Sequence, residues 1–156
     1  MVRIRTRDVL GLALAALAII GTIPPLRSAQ PSCTPTRPDA EGPFYKPNAS
    51  ERASTGRGLV ITGTVRSVSG CAPLAAAQIE WWSANPSGQY DDDHRAKQLT
   101  DSEGRYRYET DLPGRYPGRQ LHLHARVTAT SHRSLITQLY PKAGQNSLAF
   151  DFVLTK

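Results

Sequence analysis

Beyond its first thirty residues the chain alternates apolar and polar positions over short stretches. Leu59–Val65 (LVITGTV) and Arg105–Thr110 (RYRYET) carry the period of two that marks a strand with one buried face. Gln78–Trp82 (QIEWW) is strand-like, and Leu121–Thr130 (LHLHARVTAT) and Ser147–Leu154 (SLAFDFVL) complete the clear cases. Turn signals separate them: Ser69-Gly70, Pro86-Ser87-Gly88, Asp101–Gly104, Pro113-Gly114 and Pro117-Gly118. After residue 30 no segment holds a helical period over three turns. The pattern predicts an all-β fold, an antiparallel β-sandwich over residues 59–156 preceded by an extended arm over 30–58.

Composition agrees. Twelve Gly and twelve Pro in 156 residues disfavour a helix bundle. Trp81, Trp82, three Phe and six Tyr supply bulky core material, which argues against disorder. The length suits one domain.

Residues 1–29 read differently. Met1–Asp8 is basic, and Val9–Ile23 carries no charge. This stretch is shorter than the roughly 20 residues that a membrane span needs, and it fits the apolar region of a secretory signal. Pro24-Pro25 ends it, and Ser28-Ala29 offers small residues for cleavage, although Arg27 stands where a small residue is preferred. There is no Arg-Arg pair for a twin-arginine signal, and the residues around Cys33 (AQPSC) make a poor lipoprotein site. The expectation is export to the periplasm or the exterior, with membrane tethering through the N-terminus only if the segment stays uncleaved.

Export bears on Cys33 and Cys71, because an even pair in an oxidising compartment tends to join. Such a bridge would tie the arm to the start of the sandwich; the alternative is two separately buried thiols. Charge adds little. Arg3, Arg5, Arg7 and Arg27 against Asp8 account for three of the six net positive charges, leaving +3 for the rest. That mild excess does not point to a nucleic-acid partner.

His122-Leu123-His124 is the sharpest chemical feature. In a strand, two His separated by one residue share a face and can meet one ion, or they can line a half-exposed polar face. Tyr106 and Tyr108 share one face of an alternating strand and read as packing. Tyr90 and Tyr116 lie in Gly-containing turns, where a sandwich core needs no tyrosine and where functional groups are often held. A phenol becomes a phenolate ligand at neutral pH only on a strong Lewis acid such as ferric iron. Arg119, three residues before His122, and Gln138 in Thr137-Gln138-Leu139-Tyr140 read equally as surface residues. Asp91-Asp92-Asp93 reads as a solvated loop rather than a calcium site, and His94 and His132 as surface histidines. Asn48-Ala49-Ser50 matches a glycosylation acceptor.

Taken in order, these residues resemble the intradiol ring-cleavage dioxygenases, the group of protocatechuate 3,4-dioxygenase and catechol 1,2-dioxygenase. The resemblance runs from about Thr34 to Leu154. It includes Thr36…Glu41-Gly42-Pro43-Phe44-Tyr45, Ile61–Val65, Ala77–Asn85, Gly88-Gln89-Tyr90, Pro113–His124 and Leu135–Tyr140. It implies a prealbumin-like β-sandwich holding a non-haem Fe(III) on Tyr90, Tyr116, His122 and His124. Tyr90 and His122 would be equatorial, Tyr116 and His124 axial. A catechol substrate would displace Tyr116, whose phenolate accepts a substrate proton. Arg119 would stabilise charge on the activated ring, with Gln138 beside it. O2 would then cleave the ring to a cis,cis-muconate-type diacid, in the catabolism of aromatic compounds. The resemblance also brings Tyr45 of the arm toward the site.

Two departures bear on which catechol is used. No segment corresponds to the helical dimerisation region of catechol dioxygenases, and only Pro117–Leu121 separates Tyr116 from His122, where larger enzymes have a longer loop. Assembly into oligomers stays open. The competing reading is a secreted, non-enzymatic sandwich of the carboxypeptidase-regulatory or prealbumin-like type, which shares turns such as Thr100–Tyr106. A copper or zinc site on the histidines, with the tyrosines as bystanders, is a further alternative. Only the dioxygenase reading uses all four proposed ligands.

Overall fold

The computed structural model describes residues 33–115 and 117–156. Tyr116 and the expected signal or anchor lie outside the described residues. The strands are β1 (Leu59–Ser67), β2 (Gln78–Ala84), β3 (Tyr90–Leu99), β4 (Arg105–Thr110), β5 (Leu123–Thr128), β6 (Leu135–Leu139), β7 (Ser147–Ala149) and β8 (Phe152–Leu154). They form two four-stranded sheets. In one, β1 lies between β4 on one side and β7 and β8 on the other; the second has the order β3-β2-β5-β6. The fold is all-β, with no helix among the described residues.

Alternation decides which side chains meet between the sheets. In β4, Tyr106, Tyr108 and Thr110 are buried while Arg105 and Arg107 face solvent. In β2, Ile79 and Trp81 point inward. Trp81 stacks on Tyr108 of the opposite sheet, with ring centroids 4.7 Å apart and planes 3° from parallel. Such a pair contributes roughly 0.5–1.5 kcal/mol beyond the area it buries. Leu59, Ile61, Val65, Val127, Leu139 and Phe152 close the core around it.

The outer face of β2 is buried as well, because the arm covers it. The arm begins at a Cys33–Cys71 disulfide with Cα atoms 5.4 Å apart, so the two cysteines are paired rather than separately buried. It passes β8 and β6 through Thr36 N–H to the Val153 carbonyl (3.1 Å) and Asp39 N–H to the Ile136 carbonyl (2.9 Å). It then crosses β5 and β2 and reaches β3, where Lys97 N–H donates to the Ser50 carbonyl at 2.9 Å. Glu109 N–H donates to the Ala53 carbonyl at 3.0 Å, so the same segment seals the neighbouring edge at β4.

Three sequence expectations change. β3 and β6 are edge strands that alternation did not single out. In β3 (YDDDHRAKQL) the outer residues meet the polar arm rather than an apolar core, so Asp91-Asp92-Asp93 lies within a strand and not in a loop. Ser147–Leu154 is two strands, and both run parallel to β1 rather than antiparallel. At the break the Phe150 carbonyl packs directly over Gly63, where an added Cβ would stand 1.8 Å from its oxygen, so the approach requires glycine. Asp151, exposed at this break, accepts from Thr64 N–H at 2.8 Å. Finally, Leu121–Thr130 contracts to Leu123–Thr128, leaving His122 just outside β5.

Candidate metal centre

Strand register assembles the site. His124 pairs with Trp82 on one side and with Gln138 on the other, so the three share the outer face of the sheet. His122, two residues earlier, falls on the same side. Tyr90 opens β3 opposite Ala84, just where the β2–β3 register shifts; it is a strand-end residue, not the turn residue expected. This bulge turns its ring toward the histidines. Tyr90 Oη lies 3.0 Å from His122 Nε2 and 3.1 Å from His124 Nε2.

Both imidazoles are oriented from behind. His122 Nδ1–H donates to the Gln120 carbonyl at 2.8 Å, which leaves its Nε2 lone pair facing Tyr90. His124 stacks on Trp82, with centroids 4.9 Å apart and planes 7° from parallel. Its Nδ1 is buried without a partner among the described residues, so its polar engagement is at Nε2. Burial, reinforced by the neighbouring His122, pushes the His124 pKa down to about 4. The ring is therefore neutral at ordinary pH, as a metal ligand must be.

The arm roofs this cluster. Phe44 stacks on Tyr90, and Gly42 passes so close over His124 that an added Cβ would stand 3.3 Å from Cε1. Gly42 also has a φ of +72°, which favours glycine. Tyr45, expected to approach the site, packs edge-on against Trp82 at 5.1 Å. Its hydroxyl accepts from Arg126 Nη1 at 2.7 Å. Arg119 donates to Gln138 Oε1 at 2.8 Å, and Gln138 Nε2 donates to the Ala40 carbonyl at 2.6 Å. Arg119 and Gln138 thus form one unit beside His124. Tyr140 joins it, its hydroxyl 2.7 Å from Asp39 Oδ2. That contact holds the Asp39 carboxyl below its usual range. An open cavity of about 420 Å³, lined by Arg115, Arg119, Leu121, Tyr140 and Lys142, adjoins this flank.

Tyr106 and Tyr108 are packing residues, and burial raises both phenols. His132 bridges the Thr130 carbonyl and Ser67 Oγ. His94 is not a surface residue. It is 9% exposed and held between Asp91 and Asp111. Alternation of buried His94, Ala96 and Gln98 with Arg95, Lys97 and Leu99 could have shown its burial had β3 been recognised.

A phenol oxygen and two imidazole nitrogens converging at hydrogen-bond distance make a donor set suited to a hard Lewis-acidic ion such as Fe(III). Among the described residues no group of three or more His, Cys, Asp and Glu could hold a metal. The tyrosine is therefore what makes the cluster a credible centre. Tyr116, the fourth expected ligand, lies outside the described residues.

Residues 30–155 match the family model described as "Dioxygenase". The chain belongs to the intradiol dioxygenase family. This family member is 30% identical to catechol 1,2-dioxygenase of Acinetobacter baylyi over 137 residues, covering 64% of this chain and 44% of that protein. It is 30% identical to hydroxyquinol 1,2-dioxygenase of Rhodococcus opacus over 166 residues, covering 85% of this chain and 52% of that protein. The chain thus spans about half the length of the curated relatives it matches. Among solved structures, the dioxygenase domain of a dioxygenase–carbohydrate-binding protein fusion from Streptomyces sp. SirexAA-E superposes with a TM-score of 0.71 at 29% identity. That match covers 78% of this chain and 99% of the other. An intradiol ring-cleavage dioxygenase from Tetranychus urticae, at 18% identity and TM-score 0.71, shares the fold.

Proposed function

We propose that this dioxygenase-family chain is a non-haem Fe(III) intradiol dioxygenase that opens a catechol-type ring with O2 to a cis,cis-muconate-type diacid. The observation that carries the reading is the convergence of Tyr90 Oη on the Nε2 atoms of His122 and His124. These three residues, with Tyr116 as the fourth, would hold the ion. When bound, a ferric ion supplies Lewis acidity that activates a catecholate toward O2. The protein's own groups do the rest. Tyr116 accepts a substrate proton at its phenol oxygen. Arg119, fixed by Gln138, places a permanent cation where charge develops on the ring. Phe44 and Gly42 exclude water from the Tyr90–His124 side. Relatives named for catechol, chlorocatechol and hydroxyquinol cleavage support a catechol-type substrate. A disulfide joining the arm to the sandwich supports action in an oxidising compartment outside the cytoplasm.

The test pairs a spectrum with two variants. Iron-reconstituted protein should be coloured by phenolate-to-iron charge transfer, and Tyr90→Phe should alter the band while Tyr106→Phe leaves it. Arg119→Ala should keep the colour and lose turnover of a catechol panel, on the order of a hundredfold. His124→Ala should lose iron and turnover together. A colourless protein that takes up only zinc, or catechol turnover indifferent to both variants, would sink the assignment and favour a secreted binding module.

A further inference from the structure

His94 lies outside the candidate centre, yet it joins the two segments that lead into it. Its Nδ1 is 2.7 Å from Asp91 Oδ1, and its Nε2 is 3.1 Å from Asp111 Oδ2. Carboxylates only accept, so the ring can serve both only by donating from both nitrogens, as an imidazolium. Asp91 follows Tyr90 directly. Asp111 opens the segment 111–115 that runs on to Tyr116 and Arg119.

The turn between β2 and β3, just before Tyr90, also ties the two segments together. Asn85 Nδ2 donates to Asp91 Oδ2 at 2.9 Å, and Gly114 N–H donates to the Asn85 carbonyl at 2.9 Å. An added Cβ on Gly88 would stand 2.3 Å from the Arg115 carbonyl oxygen, and one on Gly114 would stand 2.3 Å from that of Pro86. With so little slack, a change at His94 is transmitted to both segments.

We propose that His94 is a positioning residue for the candidate centre: its doubly donating imidazolium holds the strand of Tyr90 against the loop leading to Tyr116 and Arg119, and deprotonation loosens that loop. The charged groups facing the ring are Asp91 from its own strand and Asp111 from the loop after β4. Asn85 and the Arg57 N–H are neutral donors that hold those carboxylates in place. Burial disfavours charge on the ring, but the two carboxylates outweigh it and raise its pKa above the ordinary imidazole value. Only the turnover arm of the test rests on the catechol-cleaving reading.

The test uses the full chain, wild type beside Asp111→Asn and His94→Gln. NMR titration reads the His94 ring, and hydrogen exchange reads the Gly88 and Gly114 amides, both bonded to Asn85. In the wild type, protection of these amides should fall about tenfold, beyond the intrinsic base dependence, as pH rises through the His94 pKa. Asp111→Asn should move that transition about one pH unit lower, because one of two carboxylates has lost its charge. His94→Gln should abolish it. With iron and a catechol, the alkaline limb of kcat should shift in the same order. A His94 ring titrating at or below the ordinary value, or a transition unmoved by Asp111→Asn, overturns the proposal. If no catechol is turned over, the proposed activity fails while the exchange titration still decides the role of His94. If His94→Gln does not fold, Asp111→Asn decides alone.

Discussion

Phe44 of the arm lies flat on Tyr90, with ring centroids 4.2 Å apart and planes 12° from parallel. The pair places an apolar lid over a phenol that the sheet aims at two histidines. Phe44→Ala should cost roughly 1–3 kcal/mol, the stacked-pair term plus the apolar area lost at a half-buried ring. It should also speed removal of iron by a chelator severalfold, because water then reaches the Tyr90 side. Denaturant unfolding and the decay of the visible band measure the two effects separately. An unchanged chelation rate would mean that the lid does not protect the centre.

Gly114 makes a purely steric prediction. A methyl group there would stand 2.3 Å from the Pro86 carbonyl oxygen and 2.5 Å from Gly88 N. Gly114→Ala should therefore destabilise by roughly 1–3 kcal/mol, as overpacking does, and displace the loop that carries Arg119. Denaturant midpoints together with catechol kcat/KM should show both losses.

The disulfide closes a loop between residues 38 apart in sequence. Replacing Cys33 and Cys71 with Ser should lower stability by roughly 3–4 kcal/mol on a chain-entropy argument. Thiol titration of denatured, non-reduced protein from an oxidising compartment should find no free thiol. Since the bridge lies at the start of the arm, iron stoichiometry should survive the double replacement.

Stability should depend on pH through His94. Its pKa is raised in the folded state above the ordinary 6.5, so the folded protein binds the extra proton more tightly than the unfolded chain. The contribution is complete below about 6.5 and is lost as pH rises through the folded value. Unfolding free energies between about pH 5 and 9 should decline over that window in the wild type, and this component should be missing from His94→Gln.

Local alternation and turn chemistry were enough to mark β1, β2, β4 and β5, because each has one face toward an apolar core. The same period put His122 and His124 on one face, and Tyr106 and Tyr108 in packing roles. β3 escaped notice because its outward residues Asp92 and Arg95 meet Lys46 of the arm and one another rather than apolar groups. Sequence pattern alone places His94 at the surface, because its partners Asp91 and Asp111 lie 3 and 17 residues away and come from two segments that only the fold brings together. Trp82 could be recognised as bulky but not as the plate behind His124, which depends on the β2–β5 register.

The sequence by itself thus determined the strand period, the arm, the pair of cysteines and the residue types that resemble an iron-binding set. These features are local or compositional, so the chain need not be folded for them to be read. Only the tertiary structure decided that the arm crosses the outer face of β2 and β5, that Phe44 caps Tyr90, and that His94 joins Asp91 to Asp111. Each of these brings together groups distant along the chain, and their meeting depends on register, bulge and close backbone approach, which no periodicity encodes.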